Sequence, residues 1–341
     1  MAVSSPMEST VKALLSPGKG ILAADESLPT IAKRFKALDI VSTEEQRRAY
    51  REMLFTTAGL GEYISGTILF DETIRQSSTA GIPLREVLAS QGIIPGIKVD
   101  KGTVALPAFP EENVTEGLDG LRERLAGYRE LGARFTKWRA VIAIGAHIPT
   151  RACTQANARA LAHFAAFSQE AGLVPIVEPE VLMNGSHSLT RAEEIASALF
   201  KDVFDALIEH RVVLEHMLLK TSMIVSGSKC PEQAEDSEVA ETTLRCLRRG
   251  VPAAVPGIVF LSGGQEDEVA TRRLNAIYQA GPAPWTLSFS FGRALQATSL
   301  RLWKGSSVNV PAAQEALLHR ARCNSAAVQG RYSARMEHAQ V

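Results

Sequence analysis

Short apolar runs alternate with longer helical patterns along most of this chain. Gly, Ser or charged positions bound the apolar runs, as is typical of strands that are buried on both faces. We predict eight strands, at residues 20–25, 63–70, 93–100, 134–142, 173–181, 217–225, 257–262 and 285–291. Strand-then-helix units in this number predict an α/β fold, a single (β/α)8 TIM barrel with additional N- and C-terminal helices. An open doubly wound sheet is the structural alternative.

The helical patterns lie between these runs and after the last of them. We predict helices at residues 42–57, 154–171, 189–211, 266–280, 293–304 and 311–329. The first opens with Ser42-Thr-Glu-Glu45, a capping-box pattern. No linker indicates a second domain, so we predict one barrel domain over residues 1–332 and a polar, mobile tail over residues 333–341.

Composition narrows the possible partners and location. The 341 residues are 45% hydrophobic and 22% charged, which predicts a folded chain with a large core. A formal net charge of zero gives no support for binding nucleic acid or an anionic membrane. There is no secretory signal near the N-terminus and no apolar run of the ~18 residues that span a bilayer. We therefore expect no nucleic-acid partner, no membrane partner and a cytoplasmic location.

Cysteine and histidine spacing gives no sign of a metal site. Four cysteines lie far apart and form no C-x-x-C pair, and the seven histidines form no ligand cluster. Reduced thiols, no metal and no other cofactor are expected.

Lys220 is the most informative residue, because it interrupts the apolar run 217–225. Burial removes much of the hydration of an ammonium group and disfavours its charged form. A neutral amine is a nucleophile for carbonyl carbon, so the position favours Schiff-base chemistry. A structural lysine that is ion-paired or extends to solvent is the alternative.

Further polar residues recur near the carboxyl ends of the predicted strands, often two positions apart. They are Asp25, Lys98, Asp100, Lys137, Arg139, Glu178, Glu180, Lys220, Ser262, Ser290 and Arg293. Alternate residues of a strand share a face, and the carboxyl end of such a barrel holds its active site. Plainer interpretations exist, because Asp25 to Ser27 could cap a helix and the other charges could be solvated or neutralise one another. Their joint occurrence favours a functional cleft.

Covalent carbonyl chemistry fits this set. Lys220 would attack a ketone, and Glu178 would donate and then recover a proton during dehydration. Lys137 would disfavour the charged form of Lys220 by like-charge repulsion, and Asp25 would receive or orient a hydroxyl proton. The resulting iminium is an electron sink, which permits cleavage of the adjacent carbon–carbon bond without a metal.

Phosphate-binding groups follow the last two strands. Ser262-Gly-Gly264 offers backbone N–H groups, and Arg293 offers a guanidinium fork. Loops after strands seven and eight form a recurrent phosphate site in these barrels. Lys98, with Arg34 or Ser27, could hold a second phosphate at the other end of a substrate.

Seven segments, in order along the chain, resemble class I fructose-bisphosphate aldolase. They are Gly18-Lys-Gly-Ile-Leu-Ala-Ala-Asp-Glu-Ser27, Gly96-Ile-Lys-Val-Asp-Lys-Gly102, Lys137-Trp-Arg139, Val174-Pro-Ile-Val-Glu-Pro-Glu180, Leu218-Leu-Lys220, Phe260-Leu-Ser-Gly-Gly-Gln265 and Phe289-Ser-Phe-Gly-Arg-Ala-Leu-Gln296. The resemblance implies reversible cleavage of fructose 1,6-bisphosphate to dihydroxyacetone phosphate and glyceraldehyde 3-phosphate, in glycolysis and gluconeogenesis. It also implies a metal-independent enzyme and a homotetramer.

The resemblance also assigns roles to single residues. The Schiff-base lysine falls on Lys220 and the principal acid/base glutamate on Glu178. The other active-site charges fall on Asp25, Lys98, Lys137, Arg139 and Glu180. The ketose 1-phosphate contacts fall on Ser262, Gly263, Gly264, Ser290 and Arg293. Arg34 matches a substrate-binding arginine, and Ser27 matches a contact near the 6-phosphate.

Two departures from the family pattern stand out. Thr221 and Ser222 follow the lysine where members usually have Pro-Asn or a similar pair. The printed sequence ends at Val341 without the terminal tyrosine that assists proton exchange in many members, and Tyr332 matches an earlier tyrosine. The group that protonates the enamine is therefore unassigned.

Two other function classes remain open at this point. One is a different lysine-dependent enzyme, such as a transaldolase-like transferase or an aldolase for another sugar phosphate. The other is a phosphosugar-binding or scaffold protein that kept the barrel without the activity.

Overall fold

Eight parallel strands close into a barrel. The structure is a computed structural model that describes residues 5–338. The barrel strands are β1 Gly20–Ala24, β2 Ile64–Leu69, β3 Ile94–Lys98, β6 Phe135–Ile142, β7 Val174–Val181, β8 Leu218–Thr221, β9 Gly257–Phe260 and β10 Thr286–Phe291. Around the barrel they follow the order β1-β10-β9-β8-β7-β6-β3-β2, so the first and last strands are neighbours. The predicted TIM barrel is confirmed, and the open sheet is excluded because β1 pairs with both β2 and β10.

Helices surround the barrel and extend it at both ends. A two-stranded antiparallel sheet lies between β3 and β6 along the chain and consists of β4 Thr103–Ala105 and β5 Asn113–Thr115. The apolar pattern did not predict it. The helices are α1 Pro6–Leu14, α2 Leu28–Lys36, α3 Glu44–Phe55, α4 Asp71–Arg75, α5 Leu84–Ser90, α6 Leu121–Glu130, α7 Arg151–Glu170, α8 Leu189–Glu209, α9 Asp236–Gly250, α10 Asp267–Gln279, α11 Arg293–Trp303 and α12 Val310–Ala327. The additional terminal helices are thus confirmed as α1 and α12. No helix within residues 5–338 combines the length and apolarity that crossing a bilayer requires.

Two differences from the predicted boundaries have a clear physical reason. The capping box at Ser42 is not formed, because Thr43 is the N-cap of α3 and accepts from the Gln46 backbone N–H at 3.1 Å. The sixth barrel strand ends at Thr221, four residues before the end of the apolar run. The remaining apolar residues of that run are buried without strand pairing, so the pattern recorded their burial and not their backbone conformation.

An apolar layer fills the lower part of the barrel. It contains Ala23, Phe135, Ile176 and Leu218, which belong to one buried cluster. Leu14 of α1 belongs to the same cluster, so this helix covers the amino-terminal end of the barrel. Because side chains two apart on a strand share a face, this layer fixes which residues lie directly above it.

A close approach of backbone and aromatic ring completes this layer. The Phe135 ring lies against Gly96 of the neighbouring strand, and a Cβ atom at Gly96 would come within 2.3 Å of it. The glycine is therefore required by packing, since any side chain there would enter the volume of a buried ring.

The C-terminal segment begins with ordered contacts. Residues Ala334–His338 form a short 3-10 helix, and Glu337 pairs with Arg320 of α12 and accepts from the Tyr332 hydroxyl at 2.7 Å. The predicted mobile tail over 333–341 and the domain boundary at 332 stay predictions. Residues 339–341 lie outside the described residues.

Candidate active site

A charged layer lies directly above the apolar layer, at the carboxyl ends of the strands. Asp25, Lys137, Glu178 and Lys220 each come two residues after a member of the apolar cluster. These four side chains therefore point into the same space inside the barrel. This space is a cavity of ≈ 930 Å³, lined by every predicted site residue except Gly264. The sequence prediction of a single cleft agrees with this geometry.

Lys220 and Glu178 form the centre of the cavity floor. The Lys220 residue is 4% exposed and the Glu178 residue 3%. The Lys220 Nζ atom lies 3.2 Å from Glu178 Oε1. A buried amine within hydrogen-bond reach of a carboxyl group can form an imine while the carboxyl carries the proton. The buried position also excludes the alternative of a lysine that extends to solvent.

Lys137 links three carboxylates and is equally buried. Its Nζ lies 2.6 Å from Asp25, 3.5 Å from Glu178 and 4.0 Å from Asp100. Burial alone lowers the pKa of Lys137, but the charges of Asp25, Glu178 and Asp100 outweigh it and raise this pKa above the ordinary range. Burial likewise raises the pKa of Asp25, but Lys137 and then Lys220 outweigh it and lower this pKa. Asp25 is thus held as a carboxylate and Lys137 as an ammonium.

Two further ion pairs form the wall of the cavity. Arg139 Nη1 lies 2.9 Å from Glu180 Oε2, and the Arg139 side chain is 45% exposed. Burial raises the pKa of Glu180, with Arg139 opposing this shift. Lys98 pairs with the Asp100 carboxylate and donates to the Asp100 carbonyl at 2.8 Å. Arg139 and Glu180 therefore neutralise each other, as the plainer interpretation held, but both residues line the cavity.

The predicted phosphate-binding groups meet at one side of the cavity mouth. Gly263 and Gly264 have φ values of +57° and +98°, a left-handed turn that glycine adopts without strain. A Cβ atom at Gly264 would come within 3.0 Å of the Arg293 guanidinium. Partial burial lowers the pKa of Arg293, and the like charge of Arg34 lowers it further. The Ser290 hydroxyl is buried and has no hydrogen-bond partner among residues 5–338. These cations, loop N–H groups and free hydroxyl suit an anion.

Ser27 and Arg34 line the cavity from α2. Ser27 occupies the N-cap position of this helix, as the plainer interpretation held, but its hydroxyl does not accept from the helix backbone. The hydroxyl instead lies 3.1 Å from that of Thr30. The Arg34 guanidinium pairs with Glu26 and is 22% exposed.

Sequence reasoning assigned no role to Asp100 or Glu26. Asp100 joins Lys98 and Lys137, and its position two residues after Lys98 was the available signal. Glu26 was visible only as the middle of a candidate cap, because its two arginine partners come from separate helices.

One group outside the cavity has the composition of a metal site. Ligand atoms of His319, Cys323 and Glu337 lie within 4.8 Å of one another. Glu337 already accepts from Arg320 and Tyr332, so an ion there would compete with a buried guanidinium. The geometry therefore favours a structural role in holding the C-terminal segment on α12.

Comparison with known proteins agrees with this geometry. The family model for fructose-bisphosphate aldolase class-I matches residues 6–341. A Xanthomonas campestris protein named probable fructose-bisphosphate aldolase class 1 is 56% identical over 324 residues, covering 95% of this chain and 97% of the relative. Fructose-bisphosphate aldolase 1 of Toxoplasma gondii is 49% identical over 332 residues, covering 97% and 92%. The cytoplasmic isozyme 2 of Pisum sativum is 52% identical over 319 residues, covering 93% and 89%.

A solved structure gives the same result at the level of the fold. The chain superposes on fructose-bisphosphate aldolase from Plasmodium falciparum, crystallised with TRAP and a small-molecule inhibitor, with a TM-score of 0.95. The two sequences are 48% identical, and the match covers 96% of this chain and 95% of the other. The family match, the sequence identity along the chain and the shared barrel all lead to one conclusion. The chain belongs to the class I fructose-bisphosphate aldolase family.

Proposed function

We propose that this chain cleaves fructose 1,6-bisphosphate reversibly to dihydroxyacetone phosphate and glyceraldehyde 3-phosphate, through an imine on Lys220, as a step of glycolysis and gluconeogenesis. The observation that carries the proposal is the Lys220 amine, buried on the cavity floor 3.2 Å from Glu178. The family is one of carbon–carbon lyases that use no metal.

Each step of the proposed mechanism uses a named group. The Lys220 amine attacks the ketone carbon of the open-chain sugar to give a carbinolamine. Glu178 protonates the carbinolamine hydroxyl, which leaves as water and produces the iminium. Asp25 accepts the proton of the hydroxyl group that lies two carbons from the iminium carbon. The bond between this hydroxyl-bearing carbon and its neighbour next to the iminium carbon then breaks. The electron pair of that bond enters the iminium and forms an enamine, and the aldehyde product departs. Protonation of the enamine and hydrolysis of the imine release the second product.

Lys137 supports this sequence electrostatically. Its ammonium lies between Asp25 and Glu178, at 2.6 and 3.5 Å. We assign to it the stabilisation of whichever of these carboxyl groups is ionised as the proton moves. Glu180 and Arg139, paired on the cavity wall, would orient the sugar hydroxyls.

Two groups of residues would hold the two phosphates. Arg293 and the loop after β9 fit the ketose 1-phosphate, with the free Ser290 hydroxyl as a further donor. The remaining cations and hydroxyls of the proposed set would serve the other end of the substrate. They are Ser27, Arg34 and Lys98.

Assembly and location are part of the proposal. Family resemblance supports a homotetramer, which analytical ultracentrifugation would test. The plant relatives are named cytoplasmic isozymes, which supports the same location for this chain.

Borohydride trapping tests the proposed reaction directly. Reduction in the presence of dihydroxyacetone phosphate should add the ligand to Lys220, identified by peptide mapping. Lys220→Ala should show no adduct and a loss of several orders of magnitude in rate. An unmodified Lys220 in the wild-type protein would refute the proposal.

Two comparisons separate the alternatives. A lysine-dependent enzyme of another sugar phosphate should turn over fructose 1-phosphate better than the bisphosphate. A binding protein without activity should bind the bisphosphate and leave it uncleaved.

A further inference from the structure

Glu26 lies on the cavity wall and joins two arginines. It follows β1, and its side chain is 4% exposed. One carboxylate oxygen pairs with Arg34 of α2, and the other lies 2.5 Å from Arg51 Nη2 of α3. Charge-assisted bonds of this kind are among the stronger hydrogen bonds in proteins. The carboxylate therefore fixes the relative positions of two helices and one cavity-facing cation.

The two arginines differ in what they reach. The Arg51 side chain is 4% exposed, and its Nη1 atom has no hydrogen-bond partner among residues 5–338. The Arg34 side chain is 22% exposed and lines the cavity. One carboxylate shared by two guanidinium groups leaves a net charge of +1. Because Arg51 is enclosed, this surplus is available to a ligand only through Arg34.

Arg34 would not hold this position unaided. Burial lowers the pKa of Arg293 and the like charge of Arg34 lowers it further, so the two cations repel each other. An arginine side chain also has many rotamers, and ordering it on ligand binding opposes affinity. The buried Glu26 carboxylate, which pairs with Arg34, opposes both effects before any ligand arrives.

We propose that Glu26 is a positioning residue that holds the Arg34 guanidinium at the cavity wall, so that a substrate phosphate meets a cation that is already ordered. The inference rests on the proposed function, since it concerns how a phosphorylated sugar is bound. It assigns Glu26 no contact with the reacting atoms.

Glu26→Gln tests this role, because the amide keeps the shape of the side chain and removes its charge. Steady-state cleavage of fructose 1,6-bisphosphate should show KM raised by about tenfold or more, the usual worth of a hydrogen bond to a charged group. The kcat value should stay within about threefold, because no proton-transfer group has changed. Inorganic phosphate, used as a competitive inhibitor, should bind more weakly by a similar factor.

Glu72→Gln is the matched control. Glu72 also holds an arginine of α3, with Arg47 at 2.7 and 2.5 Å, but neither residue lines the cavity. A loss of stability alone would affect both variants, whereas the change in KM should be confined to Glu26→Gln. Equal KM changes in the two variants would overturn the proposal.

A double variant tests whether Glu26 acts through Arg34. Adding Glu26→Gln to Arg34→Ala should raise KM little further, whereas a full additional increase would overturn the proposal. If Glu26→Gln does not fold, Glu26→Asp takes its place. The shorter aspartate side chain cannot reach both arginines, so KM should again rise, and an unchanged KM would overturn the proposal. The wild-type trapping experiment separates the two claims, because an adduct on Lys220 with an unchanged KM removes only the role of Glu26.

Discussion

Replacing Glu178 with glutamine removes one proton carrier from the cavity floor. Glu178 Oε1 lies 3.2 Å from Lys220 Nζ, and Oε2 lies 3.5 Å from Lys137 Nζ. The amide has nearly the same volume, so the surrounding side chains need not move. The variant therefore isolates proton transfer and charge from packing.

The expected loss of rate follows from the proposed role of the carboxyl group. A positioned general acid or base contributes about 10²–10⁴-fold, equivalent to about 3–5 kcal/mol of transition-state stabilisation. Breaking a buried ion pair by removing one partner costs about 3–5 kcal/mol of stability. Here we expect a smaller loss, about 1–3 kcal/mol, because Lys137 keeps Asp25 at 2.6 Å.

The assay couples fructose 1,6-bisphosphate cleavage to NADH oxidation and is accompanied by thermal unfolding and borohydride trapping. We expect kcat to fall by the factor above, the melting temperature to fall by a few degrees, and an adduct on Lys220 to form slowly. Glu194→Gln serves as the control, since that glutamate is 60% exposed in a surface pair with Arg191. If Glu178→Gln retains kcat within threefold of the wild-type value, Glu178 is not the proton carrier.

Three further predictions concern packing, pH and thiol reactivity. Gly96→Ala should lower the free energy of unfolding by about 1–3 kcal/mol, because the added Cβ atom would overlap a buried ring. The control Gly127→Ala should not lower it, because the space around Gly127 of α6 is open. Equal denaturation midpoints of the two variants would contradict this prediction. Burial raises the pKa of Asp25, but the charges of Lys137 and Lys220 outweigh burial, so this pKa is lowered in the folded state. Ionised Asp25 therefore stabilises the fold above about pH 4, and this contribution is lost as the pH falls further. The stability difference between wild type and Asp25→Asn should therefore narrow below pH 4, and a constant difference in pH-dependent urea unfolding would contradict the assignment. Burial raises the pKa of the Cys153, Cys246 and Cys323 thiols to about 11. Alkylation at pH 8, followed by mass spectrometry, should therefore label the half-buried Cys230 first, and uniform labelling of the four cysteines would argue against this.

Sequence patterns predicted the barrel strands because each is a short apolar run between polar boundaries. The fourth strand, predicted at 134–142, is Phe135–Ile142 in the structure. The sixth was predicted too long, since burial continues after Thr221 while pairing with the neighbouring strand stops. Periodicity reports which residues are buried and cannot show where backbone hydrogen bonds end.

The candidate site was predicted as a set of residues but not as a network of contacts. Polar residues after apolar strand positions indicated a common face, which placed Lys220 and Glu178 together. The pairing of Asp25 with Lys137 joins the first and fourth barrel strands, and no local pattern encodes such a contact. Glu26 was overlooked for the same reason, because its partners arrive from α2 and α3.

Closure of the barrel between β1 and β10 has a consequence for biosynthesis. Asp25 leaves the ribosome well before Ser290 and Arg293, and the cavity needs all three residues. A nascent chain lacking the eighth barrel strand has neither a continuous wall nor a complete phosphate site. Enzymatic turnover should therefore appear during translation only once all eight barrel strands have been made. Partly synthesised chains should show no turnover.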